Sequence, residues 1–190
     1  MIRTMLAKTV GGLLVAACSN SSAADASHQP PPTATELAAA TEDVKAFAGE
    51  FTFSGGEAER EAMRQAVEDA VAEMNPLIRG IARDRLLASN AIPDAAKVHP
   101  EGDVVTIGFD DREYTASLGA GPIEVVGSSG DPLKLTHRLT GGKLVQDFVG
   151  DKGGRTNTLG VGGETLTVDV RVHSTKLPKD VTYRMTFTRG

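Results

Sequence analysis

The stretch LKLTHRLTGGKLVQDFVGDKGGRTNTLGVGGETLTVDVRV, residues 133–172, decides the fold of this chain. Read in twos, it gives four strands joined by three short turns, with one apolar face running through all four. Gly141-Gly142 as a two-residue turn sets Leu139 opposite Leu144, His137 opposite Gln146 and Leu135 opposite Phe148. Gly162-Gly163 as a second turn sets Val161 opposite Glu164, Leu159 opposite Leu166 and Asn157 opposite Val168. With Asp151–Gly154 as the middle loop, Phe148 faces Asn157 and Gln146 faces Leu159. Three independently placed turns leave nearly the same residues on one face. A one-residue slip would turn that face to water, so the spacing specifies an antiparallel meander.

The pattern extends in both directions. Upstream, Val105, Ile107 and Phe109 alternate and are answered by Tyr114, Ala116 and Leu118 across an Asp110-Asp111 turn, which pairs Phe109 with Arg112 and Ile107 with Tyr114. A weak strand ends at Val98, and Pro122–Val126 forms a short one before the Gly127–Gly130 loop. Downstream, Ser174–Lys179 makes a longer connection. The last strand has Val181, Tyr183, Met185 and Phe187 on one face and Thr182, Arg184, Thr186 and Thr188 on the other.

Ahead of the strands lies the main helical segment, Glu57–Ser89. Met63, Val67, Ala70, Met74, Leu77 and Ile81 form a stripe at steps of three and four, expected to pack on the sheet. Acidic residues crowd its start and Arg79, Arg83 and Arg85 its end, as the helix dipole favours. Pro76 divides it, with Asn75 placed to cap a new helix. Gly49–Phe53 alternates as a strand before it, and Thr35–Ala46 has a short helical pattern.

Composition limits what the chain can do. Its 190 residues suffice for one ordinary domain with appendages, and its net charge is −5. Removing residues 1–17 takes away Arg3 and Lys8 and no acid, leaving 18 basic against 25 acidic residues, or −7. An acidic chain without a basic patch is poorly suited to nucleic acid. The four histidines, His28, His99, His137 and His173, have no zinc-like spacing, and the acidic Asp110–Glu113 run lacks the pattern of a calcium loop. Neither Gly-rich loop leads from a strand into a helix, so no phosphate cradle is specified, and Ser128 lacks a nucleophile elbow. No metal, cofactor or catalytic residue is therefore assigned, and the expectation is that the chain is not an enzyme.

One constellation stands out. His137, Gln146 and Asn157 project from the apolar face among Leu135, Leu139, Phe148 and Leu159, and Arg155 shares their alternation near an edge. Buried polar groups need partners. These four either satisfy one another or orient the head group of a ligand in a cavity.

The first residues read as an export signal. Arg3 and Lys8 give a positive start, and Thr9–Ala17 is a short apolar run, too short to span a bilayer. Val15-Ala16-Ala17-Cys18 resembles the lipobox of bacterial lipoproteins residue by residue. That resemblance implies lipidation of the Cys18 sulfur and cleavage before it. Ser19, in place of Asp, implies sorting to the outer membrane. Several acyl chains, at about 0.8 kcal/mol per buried CH₂, would anchor the chain stably. Domain organisation follows: residues 1–17 a signal, residues 18–34 the lipidated Cys and a Ser/Ala/Pro tether, residues 35–190 a single domain.

The expected architecture is α+β: a strongly curved antiparallel sheet of about eight to ten strands, or a small up-and-down barrel, with the helical segment packed on it or across its mouth. The order of strand, helical pair and long meander over residues 47–190 resembles the calycin superfamily, especially the intracellular fatty-acid-binding proteins. Phe47-Ala48-Gly49-Glu50-Phe51 stands where that family carries a Gly-x-Trp start, with Phe51 in place of the Trp. The final strand places Tyr183 and Arg184 on opposite faces, so the family's paired inward Arg and Tyr for a ligand carboxylate are expected not to be reproduced. The resemblance implies a binder of hydrophobic small molecules, here anchored to the cell envelope through lipid. A filled structural or protein-interaction lipoprotein without a ligand is the alternative.

Overall fold

The computed structural model describes residues 42–127 and 130–190. Cys18, the export signal and the tether lie outside the described residues, as do residues 35–41 of the first helical pattern. Residues 42–47 are helical and end in a 3-10 turn, Lys45–Phe47.

Ten antiparallel strands follow: β1 Gly49–Phe53, β2 Ala95–Glu101, β3 Val104–Phe109, β4 Arg112–Ser117, β5 Ile123–Val126, β6 Pro132–Thr140, β7 Lys143–Gly150, β8 Gly153–Gly162, β9 Thr165–Ser174 and β10 Val181–Arg189. They form one sheet in the order β4-β3-β2-β1-β10-β9-β8-β7-β6-β5. This is a nearly closed barrel with two helices between β1 and β2. The end strands β4 and β5 are not paired with each other. The rim there is bridged by β6, where Gly119 N–H donates to the His137 carbonyl at 2.9 Å, and by the Tyr114 hydroxyl, which donates to the Val126 carbonyl at 3.2 Å.

The β6–β7 hairpin has the expected register: His137 pairs with Gln146, Arg138 with Val145 and Leu139 with Leu144. So does the β3–β4 hairpin, where Phe109 meets Arg112. The other two registers differ from expectation by two residues. Phe148 faces Arg155 rather than Asn157, and Gln146 faces Asn157 rather than Leu159. Val161 faces Leu166 rather than Glu164, Leu159 faces Val168 and Asn157 faces Val170. The cause in the first case is that Gly153 and Gly154 belong to the strand. A Cβ on Gly153 would sit 2.2 Å from the His173 carbonyl oxygen, and one on Gly154 equally close to that of Phe148. Here glycine permits close backbone approach and does not make a loop. In the second case the turn is Gly163-Glu164, with Gly163 at φ 59°. Because both slips are even, every side chain keeps its face. β2 also runs past Val98 to Glu101, paired with β3 throughout.

The inner face is apolar and packed. Val105, Ile107, Leu144, Leu159, Leu166, Val168, Met185 and Phe187 are all wholly shielded from solvent. The expected long helical segment is two helices, α1 Gly56–Val71 and α2 Pro76–Ser89. The Asn75 side chain caps α2 by accepting from Leu77 N–H at 2.9 Å. Helix α1 behaves as its stripe requires, burying Met63, Val67 and Ala70. Its Glu59 carboxylate ties it to β10, accepting from Thr186 N–H at 2.7 Å and from the Thr186 hydroxyl at 2.6 Å. Helix α2 does not continue the stripe. Leu77 is 87% exposed and Ile81 59%, while Leu86 and Leu87 touch the core from another side. The break at Asn75-Pro76 restarts the helix with a new rotation, so the stripe cannot run through it. Met63→Ala is therefore expected to cost about 2–5 kcal/mol. Leu77→Gln and Ile81→Gln should each change stability by no more than about 0.5 kcal/mol in urea unfolding.

Candidate functional site

The corrected registers place three polar side chains on one rung of the sheet, since His137 pairs with Gln146 and Gln146 with Asn157. Direct cross-strand neighbours are close enough for their side chains to bond. They do so in one direction. Arg155 Nε donates to Asn157 Oδ1 at 2.8 Å, and Asn157 Nδ2 donates to Gln146 Oε1 at 2.8 Å. Gln146 Nε2 lies 3.2 Å from His137 Nε2, and His137 Nδ1 lies 3.1 Å from the Val105 carbonyl of β3, over the seam where β6 meets the end of β4. A guanidinium can only donate and a carbonyl can only accept. The row is thus polarised from Arg155 to β3. It requires neutral His137 with its proton on Nδ1, leaving Nε2 to accept. Burial, the largest cause, holds the His137 pKa below its ordinary value, against the raising effect of the Val105 and Ala116 carbonyls. His137, Gln146 and Asn157 are at most 2% exposed.

All four expected residues are brought together, and sequence reasoning missed a fifth, Asn90. It follows the last residue of α2 and is 1% exposed. Its Nδ2 donates to the Leu86 carbonyl at 2.9 Å, closing the helix end. Its Oδ1 turns toward the barrel, accepting from the Tyr183 hydroxyl at 3.3 Å and from Arg155 Nη1 at 3.5 Å. An Asn just after a helical pattern signals a C-cap, but nothing in the local sequence shows that its oxygen reaches β8 and β10.

Tyr183 projects inward from β10, as its alternation requires, and meets Arg155 of β8. Burial raises the Tyr183 pKa, and the adjacent Arg155 guanidinium partly opposes this. An inward Arg and Tyr are therefore juxtaposed after all, though from two strands. Among the described residues, Arg155 has only neutral partners: Asn157, Asn90 and Tyr183. The guanidinium is half-buried at the end of the polar row, beneath the C-terminus of α2.

A surface depression of about 830 Å³ touches this site only through Tyr183. It is on the outer face of β6–β10, lined by side chains such as Arg138, Asp147, Thr156, Asp169 and Arg184. A second, about 320 Å³, lies between the α1–α2 connection and Thr175–Pro178. Neither is lined by His137, Gln146 or Asn157. Among the described residues, no cluster of three or more His, Cys, Asp or Glu could hold a metal ion.

No protein-family model matches the chain, and no curated protein sequence matches it. Solved structures do. Apo lipid binding protein 8 of Caenorhabditis elegans superposes with a TM-score of 0.51 at 12% identity, covering 77% of this chain and 96% of that one. A point mutant of the fluorescent protein UnaG gives 0.51 at 15% identity, with 77% and 98% covered. The REP1-NXSQ fatty acid transporter gives 0.50 at 15%, with 77% and 97% covered. At these identities the likeness is one of fold alone.

Proposed function

We propose that this chain is an envelope lipoprotein whose barrel binds a hydrophobic small molecule with an anionic head group. The observation that carries the reading is Arg155, a half-buried guanidinium at the end of the polar row whose acceptors among the described residues, Asn157 and Asn90, are neutral. A charge drawn partly out of water gains from a counter-charge in the same partly dry setting. A carboxylate or other anionic oxygen would supply the missing charge, with the Tyr183 hydroxyl as a second donor. The ligand tail would lie along the inner face, where Phe148 and Leu159 neighbour the polar row. That face is packed in this structure, so entry of a tail requires the inner side chains to repack. The barrels it resembles include proteins described as a lipid binding protein and a fatty acid transporter.

The test is to titrate the soluble Cys18→Ser chain, without residues 1–17, with dodecanoate and with dodecan-1-ol. Saturable binding of the acid below about 100 μM, roughly 5.5 kcal/mol, and at least tenfold weaker binding of the alcohol is the expected result. Binding of neither would sink the reading.

A second reading is favoured by a different observation: the row from Arg155 to Val105 is closed on itself, and Leu144, Leu159 and Met185 are wholly shielded. A barrel so filled would serve as an interaction module on a lipid anchor, and the same titration separates the two. The anchor has its own test. Labelling cells with an alkyne fatty acid should mark the wild type and not Cys18→Ser; equal labelling of both would overturn lipidation at Cys18.

A further inference from the structure

We infer that Asn90 determines the head-group preference of the barrel, because its carboxamide oxygen already occupies the position an anionic oxygen of the ligand would take. This rests on the reading that the interior binds such a ligand, and it adds a residue from outside the sheet. Arg155 Nη1 and the Tyr183 hydroxyl converge on Asn90 Oδ1, with the Asn90 backbone carbonyl 3.5 Å from the same hydroxyl. Both contacts with Oδ1 are long, at 3.5 and 3.3 Å, where well-made bonds of these kinds are near about 2.9 and 2.7 Å. The donors are thus only loosely engaged, by a neutral oxygen, and a charged acceptor would bind them more strongly. The other end of the same amide is well made: Nδ2 holds the Leu86 carbonyl at 2.9 Å. Asn90 therefore joins the head-group donors to the C-terminus of α2. A ligand oxygen that takes over the donors displaces the carboxamide, while the Asn90 backbone N–H, 3.0 Å from the Leu86 carbonyl, keeps the helix end closed. A neutral head group gains much less from the same exchange, because it replaces one neutral acceptor by another.

The substitutions that isolate this are Asn90→Asp and Asn90→Ala, measured with dodecanoate and dodecan-1-ol on the Cys18→Ser chain and with urea unfolding alongside. Asn90→Asp places a fixed carboxylate at the donors. It should weaken dodecanoate at least tenfold and leave dodecan-1-ol within about twofold. Asn90→Ala removes the competing oxygen. It should tighten dodecanoate severalfold even though losing the cap lowers stability, and it should again leave the alcohol nearly unchanged. Independently of any ligand, Asn90→Asp, which also gives up the Nδ2 bond to Leu86, should cost clearly more stability in an Arg155→Met background than in the wild type.

The outcomes are separable. If the wild type binds dodecanoate and both variants shift acid and alcohol equally, Asn90 is a helix cap alone and the inference fails while the binding reading stands. Dodecanoate binding by Asn90→Ala but not by the wild type would support the inference in its strongest form. Binding by neither would overturn both. Loss of the Asp–Arg155 coupling would also overturn the inference, because position 90 would then not address the guanidinium.

Discussion

Gln146→Leu should destabilise the barrel by about 2–6 kcal/mol, although Leu is apolar and similar in volume. Gln146 is the middle of the row and serves two neighbours, accepting from Asn157 Nδ2 and donating to His137 Nε2. Removing it leaves both atoms in a dry interior without a partner, at about 1–3 kcal/mol each. The polar row is not needed for a well-packed core, so removing more of it should cost less than simple addition. His137→Phe together with Gln146→Leu eliminates the orphaned imidazole nitrogen. The double variant should therefore fall clearly short of the sum of the two single losses. Equilibrium urea unfolding of the three variants checks this. Strict additivity, or a Gln146→Leu loss below about 1 kcal/mol, would mean that the row is wet or not formed.

Acid should destabilise the protein through His137. Its folded pKa lies below the unfolded value of 6.5, with burial the largest cause. Above pH 6.5 neither state binds the proton, and the stability linked to this group is fully present. As the pH falls below that value, the unfolded chain takes up the proton first and stability is lost. The loss continues until the pH passes the folded pKa, with a limiting slope of about 1.4 kcal/mol per pH unit for one proton. The row makes protonation awkward as well as costly. A charged imidazole would face the Gln146 amide donor, and turning that amide over would place its nitrogen against Asn157 Nδ2. Arg155 at the far end of the row is a like charge and offers no compensation. Carboxylates also titrate in acid, so the diagnostic is a difference. Between about pH 6.5 and 5 the wild type should lose stability relative to His137→Phe, and parallel curves would contradict a neutral buried His137.

Most of the fold was legible because a strand's side-chain period is two. That period survived two misplaced turns: reading Gly153-Gly154 as loop and Gly162-Gly163 as turn moved each register by two residues and left every face intact. What the parity could not supply was position along the strand. Gln146 was set against Leu159, so the rung uniting His137, Gln146 and Asn157 was invisible although all three were picked out. The glycines misled because the same residue serves a turn at Gly141-Gly142, with φ of 58° and 71°, and close backbone packing at Gly153. The helical stripe failed past Asn75 for a related reason. A periodic pattern fixes faces within one helix and carries no phase across a break. Asn90 and the meeting of Arg155 with Tyr183 were not legible, since they depend on where α2 ends over the barrel, a long-range fact with no local signature.

The central claim is that Arg155 receives an anionic head group inside the barrel, and replacing the guanidinium tests it most directly. Arg155→Met keeps an unbranched side chain and removes the charge and the donors. The measurement is the ratio of dodecan-1-ol to dodecanoate dissociation constants for the wild type and for Arg155→Met. The account predicts a ratio of at least ten in the wild type and close to one in the variant, with the alcohol's own affinity changed by less than about threefold. A ratio that Arg155→Met leaves unchanged, or an absence of saturable binding in the wild type, would contradict it.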